Sequence, residues 1–258
     1  MYNLMDTTLI YIHRGIQSYI DGVFALTRHY NKNNKIVLIG DEDNKAVAEK
    51  YGFMHYSYAD YDESIEYHHV SVNTETYEKF CFSRWFILKN FMNAHNIDHV
   101  VYSDSDNAII YNFNSIKYDN ACLTFETVVV PNIFFCNKQT INTVCAFYNE
   151  LYSESYVDFF LKLMESKYLT YHENNTNKPH FSDMMFLRMA LDENDINFVT
   201  LSEDTKKGDV YNSNINNIQT KIKKGKVFIE NTNSALYNIH FAGAAKNKVS
   251  EFLLLLQY

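Results

Sequence analysis

Glycine and proline are scarce in this chain, at 7 and 2 of 258 residues, and neither recurs with a period, which excludes a collagen-like repeat. No apolar run reaches the roughly 18 residues that cross a bilayer, and Met1 to Asp6 does not read as a signal peptide. Positive charge is also short. The 23 Lys and Arg face 31 Asp and Glu, for a net charge of -8, the wrong sign for a protein that lives on nucleic-acid phosphates. No nucleic-acid partner is expected. The cysteines, Cys81, Cys122, Cys136 and Cys145, have no C-x-x-C spacing and sit among apolar residues. That disfavours a zinc or redox site and predicts buried thiols in a reducing compartment. The expected location is the cytoplasm, free or resting on a membrane.

Apolar residues make up 47% of the chain and 40 of its residues are Tyr or Phe (21 and 19), enough to bury a sizeable core and to exclude disorder. Leu9 to Ile12 and Lys35 to Gly40 read as strands, each followed by a helical stretch, Ile16 to Tyr30 and Asp41 to Tyr51, and Phe53 to Tyr56 reads as a third strand. Repeated β-α units predict an α/β fold with a Rossmann-like, mostly parallel central sheet flanked by helices, and a crevice beyond the strand C-termini. Ala59 to Thr76 reads as irregular. A helix is predicted over Tyr77 to His95, strands over His99 to Ser103, Ala121 to Phe125 and Ile133 to Asn137, and helices over Gln139 to Tyr152, Tyr156 to Lys167 and Ser182 to Asp192. Glu173 to Pro179 reads as a loop, Glu203 to Lys226 as a loop with a hairpin, and Lys248 to Tyr258 as a short apolar helix on the core.

The sharpest chemical signal is Val100-Val101-Tyr102-Ser103-Asp104-Ser105-Asp106, an apolar strand that ends in two carboxylates. On an extended backbone, residues two apart point to one side, so Asp104 and Asp106 can converge on a hard divalent cation. The same residues also suit a solvated turn. A second signal is His240-Phe241-Ala242-Gly243-Ala244-Ala245-Lys246. His240 can complete a mixed oxygen and nitrogen sphere that favours manganese over magnesium, Gly243 permits a close backbone approach to a phosphate, and Lys246 supplies a point charge. Alone, His240 reads more readily as a hydrogen-bonded core or surface histidine.

Taken together, Asp-x-Asp after an apolar strand and His-x-x-Gly-x-x-Lys near the C-terminus resemble the glycosyltransferases of GT-A fold. They are most similar to the glycogenin-like and lipopolysaccharide-galactosyltransferase-like (family 8-like) enzymes and their bacterial or viral surface-glycan relatives. Ile39-Gly40-Asp41, the helix segment Phe80 to Phe86 and Ser182-Asp183-Met184 extend the likeness over nearly the whole chain. The resemblance implies one domain over 1–258, with a donor-binding half to about 106 and an acceptor half from 107. It implies Asp104, Asp106 and His240 around Mn2+ (or Mg2+), which bridges the diphosphate of a nucleotide sugar, a UDP-sugar foremost. Ser105, Gly243 and Lys246 would hold the donor, with His13 and Asp41 at its base and ribose. Arg84 would reach the donor sugar or phosphate, and Asp183 would orient the sugar or serve as a base. Arg84 also reads as a surface ion-pair residue, Asp41 as a helix N-cap, and Asp183 as a first-turn acid. Cys136-Asn137 is expected to line the acceptor pocket, with His68, His69, His172 and His180 in loops around it.

The sequence departs from the family at Asn247-Lys248, where Pro-Trp is usual, and at Met184, where Gln is usual, so retention and inversion both stay open. The implied acceptor is a glycan, glycolipid or glycoprotein. A phosphatase of the haloacid type would carry its Asp-x-Asp after the first strand, and a nucleotidylyltransferase would need a Gly-rich loop there. The remaining alternative is a non-catalytic nucleotide-sugar or glycan-binding protein of the same fold.

Overall fold

The computed structural model describes residues 7–115, 118–125, 127–172, 178–201, 210–212 and 214–257. The chain runs Thr8–His13 (β1), Tyr19–Tyr30 (α1), Ile36–Gly40 (β2), Lys45–Lys50 (α2), Met54–Ser57 (β3), Glu75–Ala94 (α3), His99–Ser103 (β4) and Asn107–Ile109 (β5). Ala121–Phe125 (β6), Val128–Asn137 (β7), Lys138–Tyr152 (α4), Tyr156–Glu165 (α5), Thr170–His172 (β8), Lys178–His180 (β9) and Asp183–Glu193 (α6) follow. Val199–Leu201 (β10), Thr220–Lys223 (β11), Lys226–Ile229 (β12), Asn238–His240 (β13) and Val249–Phe252 (α7) complete it.

Seven strands form the central sheet in the order β10-β6-β7-β4-β1-β2-β3. All neighbours pair in parallel except at β7, which is antiparallel to both β6 and β4. The mostly parallel α/β sheet expected from the repeated units is therefore present. In β1 the side chains alternate between two buried layers. Ile10 and Ile12 join the cluster under α3, α4 and α6, while Leu9 and Tyr11 join the one under α1 and α7. A strand covered on both faces reads as a continuous apolar run, which is why β1 and β2 were legible.

Boundaries differ where turn chemistry overrides periodicity. Gly15 has φ +79, so α1 begins at Tyr19 and not at Ile16. The stretch after Gly40 is divided, with a short 3-10 turn over Glu42–Asn44 before α2. β7 starts at Val128, ahead of Ile133, because its register shifts opposite Cys122 and Leu123 and the irregularity takes up Pro131, which has no N–H for a ladder. The hairpin expected within 203–226 is β11–β12, ending at Ile229. Residues 202–209 and 213 of that loop, and 173–177 of the earlier one, lie outside the described residues. All four cysteines are buried free thiols, as read. No described helix is long and apolar enough to cross a membrane.

The C-terminal segment packs on the core as expected, with Val249, Phe252 and Leu255 buried. It crosses α1 at Gly22, where an added Cβ would stand 2.3 Å from Val249 Cγ1. Gly22→Ala is expected to cost about 1–3 kcal/mol through this overpacking, read as a lower midpoint in urea unfolding. An unchanged midpoint would mean that α7 yields freely.

Candidate active site

β1, β2, β3 and β4 all end at one edge of the sheet, and the sequence motifs gather there. β4 stops at Ser103, after which the chain turns: Asn107 N donates to Asp104 O (3.0 Å) and Asp104 N to Asn132 O (3.2 Å). Asp104 and Asp106 are thus brought together by a turn and not along the extended strand assumed from their spacing. The turn leads into β5, which pairs antiparallel with β13 so that His240 lies opposite Asn107. Phe241 N donates to Asp106 O (2.8 Å).

That pairing unites the two motifs. One ligand atom from each of Asp104, Asp106 and His240 lies within 4.8 Å of the others. His240 Nε2 is 3.2 Å from Asp106 Oδ1, and Lys246 Nζ is 3.0 Å from Oδ2. Burial works against ionised Asp106, but the hydrogen bond and charge of His240, then Lys246, outweigh it and hold the carboxyl at about 2. Two carboxylates and an imidazole in this proximity fit a hard to borderline divalent ion.

A buried asparagine network supports the turn. Asn238 Nδ2 donates to Asn107 Oδ1 (2.7 Å), Asn107 Nδ2 to Asn132 O (2.6 Å), and His240 N to Asn212 Oδ1 (3.2 Å). Each amide removed from such a network leaves a buried partner unpaired, at about 1–3 kcal/mol, so the network fixes the ligand positions. Sequence reading missed these asparagines, since β5 and β13 are three-residue strands too short to show a period.

Arg84 reaches the site from α3 but faces protein carboxylates. Its Nη1 donates to Asp104 Oδ1 (2.6 Å) and Tyr102 OH (2.9 Å), and its Nη2 to Asp183 Oδ2 (2.9 Å). With its side chain 11% exposed it is a buried strut between the Asp-x-Asp turn and the start of α6, not the surface ion pair that helix patterning also allowed. Tyr102 OH also donates to Asp104 Oδ1 (2.8 Å); its place two residues before Asp104 on an extended strand was the available signal. Burial raises the Asp183 carboxyl to about 6, with Arg84 opposing and Glu78 adding to the rise. Ser182 occupies the N-cap position of α6, yet its buried hydroxyl makes no cap bond.

Ser105 points the other way. His13 Nε2 lies 3.1 Å from Gly15 O, which can only accept, so Nε2 carries the proton and Nδ1 accepts from Ser105 Oγ (2.8 Å). Burial lowers the His13 value, consistent with this neutral ring. Tyr19 OH stands 3.4 Å from Ser105 Oγ, and its ring underlies Lys246 at 5.0 Å. Asp41 accepts from Gly15 N (3.0 Å) and Arg14 Nε (3.2 Å), and Arg14 lies 4.6 Å over the Tyr58 ring. Gly243 has φ +56 and open space where a Cβ would stand, so its backbone conformation, and not crowding, requires glycine.

Cys136-Asn137 lies away from the Asp104, Asp106 and His240 cluster. Because β7 runs against β4, Asn137 pairs with His99 at the opposite edge of the sheet, where it caps α4 by accepting from Thr140 N (2.8 Å). Among the loop histidines, His180 Nδ1 is 3.0 Å from Ser71 Oγ and His68 stacks on Tyr152. Tyr67 OH is 3.2 Å from His69 Nδ1, and the His172 side chain lies outside the described residues.

No family model and no curated protein matches the chain. Among solved structures it is similar to the bifunctional glycosyltransferase WbbM (13% identity, 97% of this chain and 49% of that one, TM-score 0.49). It is also similar to mouse xyloside xylosyltransferase 1 (10%, 77% and 85%, 0.45) and to the glycosyltransferase GlyE of Streptococcus pneumoniae (12%, 79% and 47%, 0.43). The chain spans under half the length of WbbM and of GlyE. At these identities and scores the likeness carries no functional inference.

Proposed function

We propose that this chain is a metal-dependent glycosyltransferase that moves a sugar from a nucleoside-diphosphate donor, a UDP-sugar foremost, to a hydroxyl of a glycan, glycolipid or glycoprotein. The observation that carries this reading is the convergence of Asp104, Asp106 and His240 with Lys246 at the C-terminal edge of a mostly parallel sheet. The three ligands would hold Mn2+ (or Mg2+), which when bound neutralises charge on the departing diphosphate.

Lys246 then faces the same phosphates as a point charge, with Gly243 leaving space beside it. His13, Ser105 and Asp41 line the neighbouring strand ends, where base and ribose fit. Arg84 holds Asp104 through Oδ1, which leaves Oδ2 for the cation, and fixes Asp183 at the head of α6. A carboxyl at about 6 ionises near neutral pH and can accept the proton of an acceptor hydroxyl. Division into a donor half to about 106 and an acceptor half from 107 belongs to this proposal, with His240 and Lys246 contributed to the donor side from the second half.

A thermal-shift panel of UDP, GDP, CDP and dTDP, each with and without manganese, tests the reading. A nucleotide at about 100-fold above its Kd is expected to raise Tm by roughly 5 °C, for one base and only with the metal. No shift with any nucleotide would sink the donor site and leave the glycan-binding alternative.

A further inference from the structure

The β11–β12 hairpin places Lys221, Lys223, Lys224 and Lys226 within six residues of a chain whose net charge is -8. In the ladder Lys221 stands opposite Phe228, Lys223 opposite Lys226, and Ile222 opposite Val227. One face therefore carries Lys221, Lys223, Lys226 and Phe228, and the other Ile222 and Val227. Val227 is fully buried while Ile222, nearer the turn, is 36% exposed, so the apolar face meets the core at Val227 and the lysine face turns to solvent. Phe228 is half-buried among the exposed lysines.

Two features of this hairpin work against its own stability. Lys223 and Lys226 are like charges directly across the strands, an arrangement that destabilises an antiparallel pair. Lys224 takes φ +51 at the first position of a two-residue turn, which Asn or Gly fills more readily. None of the four forms an ion pair among the described residues. The turn is fixed, since Tyr30 OH donates to Gly225 O at the end of α1, two residues before the exposed Lys32.

We propose that this lysine face docks the protein on an anionic membrane surface. The face is a flat ribbon of exposed point charges with no buried cationic side chain, so it fits a plane of many phosphates better than one phosphate held in a pocket. Lysine, without arginine, supplies charge without fork geometry. Docking relieves the Lys223–Lys226 repulsion by placing counter-charge over it. α1 begins at Tyr19 beside Ser105 and ends at Tyr30 beside the hairpin, so the docked face lies about one 18 Å helix length from the candidate active site. The inference is independent of the proposed reaction.

The test is co-sedimentation with phosphatidylcholine vesicles, with and without phosphatidylglycerol. The chain is expected to partition only onto the anionic vesicles, less as salt rises. Lys221→Ala with Lys223→Ala should weaken partitioning about 25-fold, at about fivefold per lysine. Lys223→Glu, which creates an attractive pair with Lys226 and so keeps the hairpin folded, should weaken it at least as much as one lysine-to-alanine change. Asp106→Asn should leave it unchanged. Equal binding to neutral vesicles, no binding to either, binding that ignores these substitutions, or retention on heparin without vesicle binding would each overturn the proposal.

Discussion

Asp106→Asn is expected to lower the proposed sugar transfer about a thousandfold while the protein stays folded, since loss of a preorganised charge-stabilising element costs about 10²–10³ and this one would also hold the cation. The amide keeps the shape of the carboxylate, so the turn from Asp104 to Asn107 and the bond from Phe241 N to Asp106 O remain. Charge is what disappears, together with the anchor that both His240 and Lys246 use. Lys246 is 35% exposed at its side chain and can turn to water, so the folded state loses little. Transfer assays with the donor base named by the thermal-shift panel, beside manganese titration followed by electron paramagnetic resonance, separate chemistry from cation binding. Retained activity with retained manganese affinity would remove Asp106 from the site.

Arg84→Met should be the most destabilising single change in the site. The guanidinium lies between Asp104 and Asp183, and its removal leaves the buried Asp183 carboxylate without its cation while the half-buried Asp104 keeps the Tyr102 hydroxyl, which costs about 3–5 kcal/mol, or roughly 10 °C in Tm for a chain of this length. The loss should depend on pH, with a definite sign. Asp183 already has a folded value of about 6, above the ordinary carboxylate range, mainly through burial. Its favourable contribution is full below the unfolded value and fades as pH rises through about 6. Arg84 opposes that rise, so without it the folded value climbs and the fading extends to higher pH. Wild type and variant should therefore lie closest near pH 4–5 and diverge toward pH 8, and adding Asp183→Asn should recover part of the difference. A gap that stays constant with pH would mean that Arg84 acts by packing alone.

The parts of the fold that could be read from sequence are those where one physical rule dominates. β1 and β2 are buried on both faces and so appear as apolar runs, and α3 shows Cys81, Trp85, Leu88 and Met92 at helical spacing, with Phe86 and Ile87 buried beside them because the core meets most of its girth. The site residues were legible by type but not by geometry. Asp104 and Asp106 were found from a strand argument, yet a turn closed by Asn107 brings them together. Arg84 was expected to face a ligand, and helix periodicity cannot say that two carboxylates from distant segments occupy both ends of its guanidinium. Cys136-Asn137 lies at the edge opposite the Asp104 and His240 cluster because β7 is reversed, which sequence does not show, and strand direction decides which edge of a sheet a residue occupies. The pairing of β5 with β13, which joins the two motifs, lies below the length at which periodicity is visible.

That pairing also joins segments far apart in the chain. Every strand of the large sheet lies between residues 8 and 201, whereas Asn238 and His240 bind against Asn107 from more than 130 residues further along. Closing so long a loop is slow and brings its reward only once the ends meet. A partly folded chain can hold the layer under α3, α4 and α6 while the other still lacks Ile239, Phe241 and α7, and then has no place for a cation. Since a ligand stabilises only the state that binds it, a cation held at the proposed site would act as a late lock that selects chains whose last short strand has found its partner.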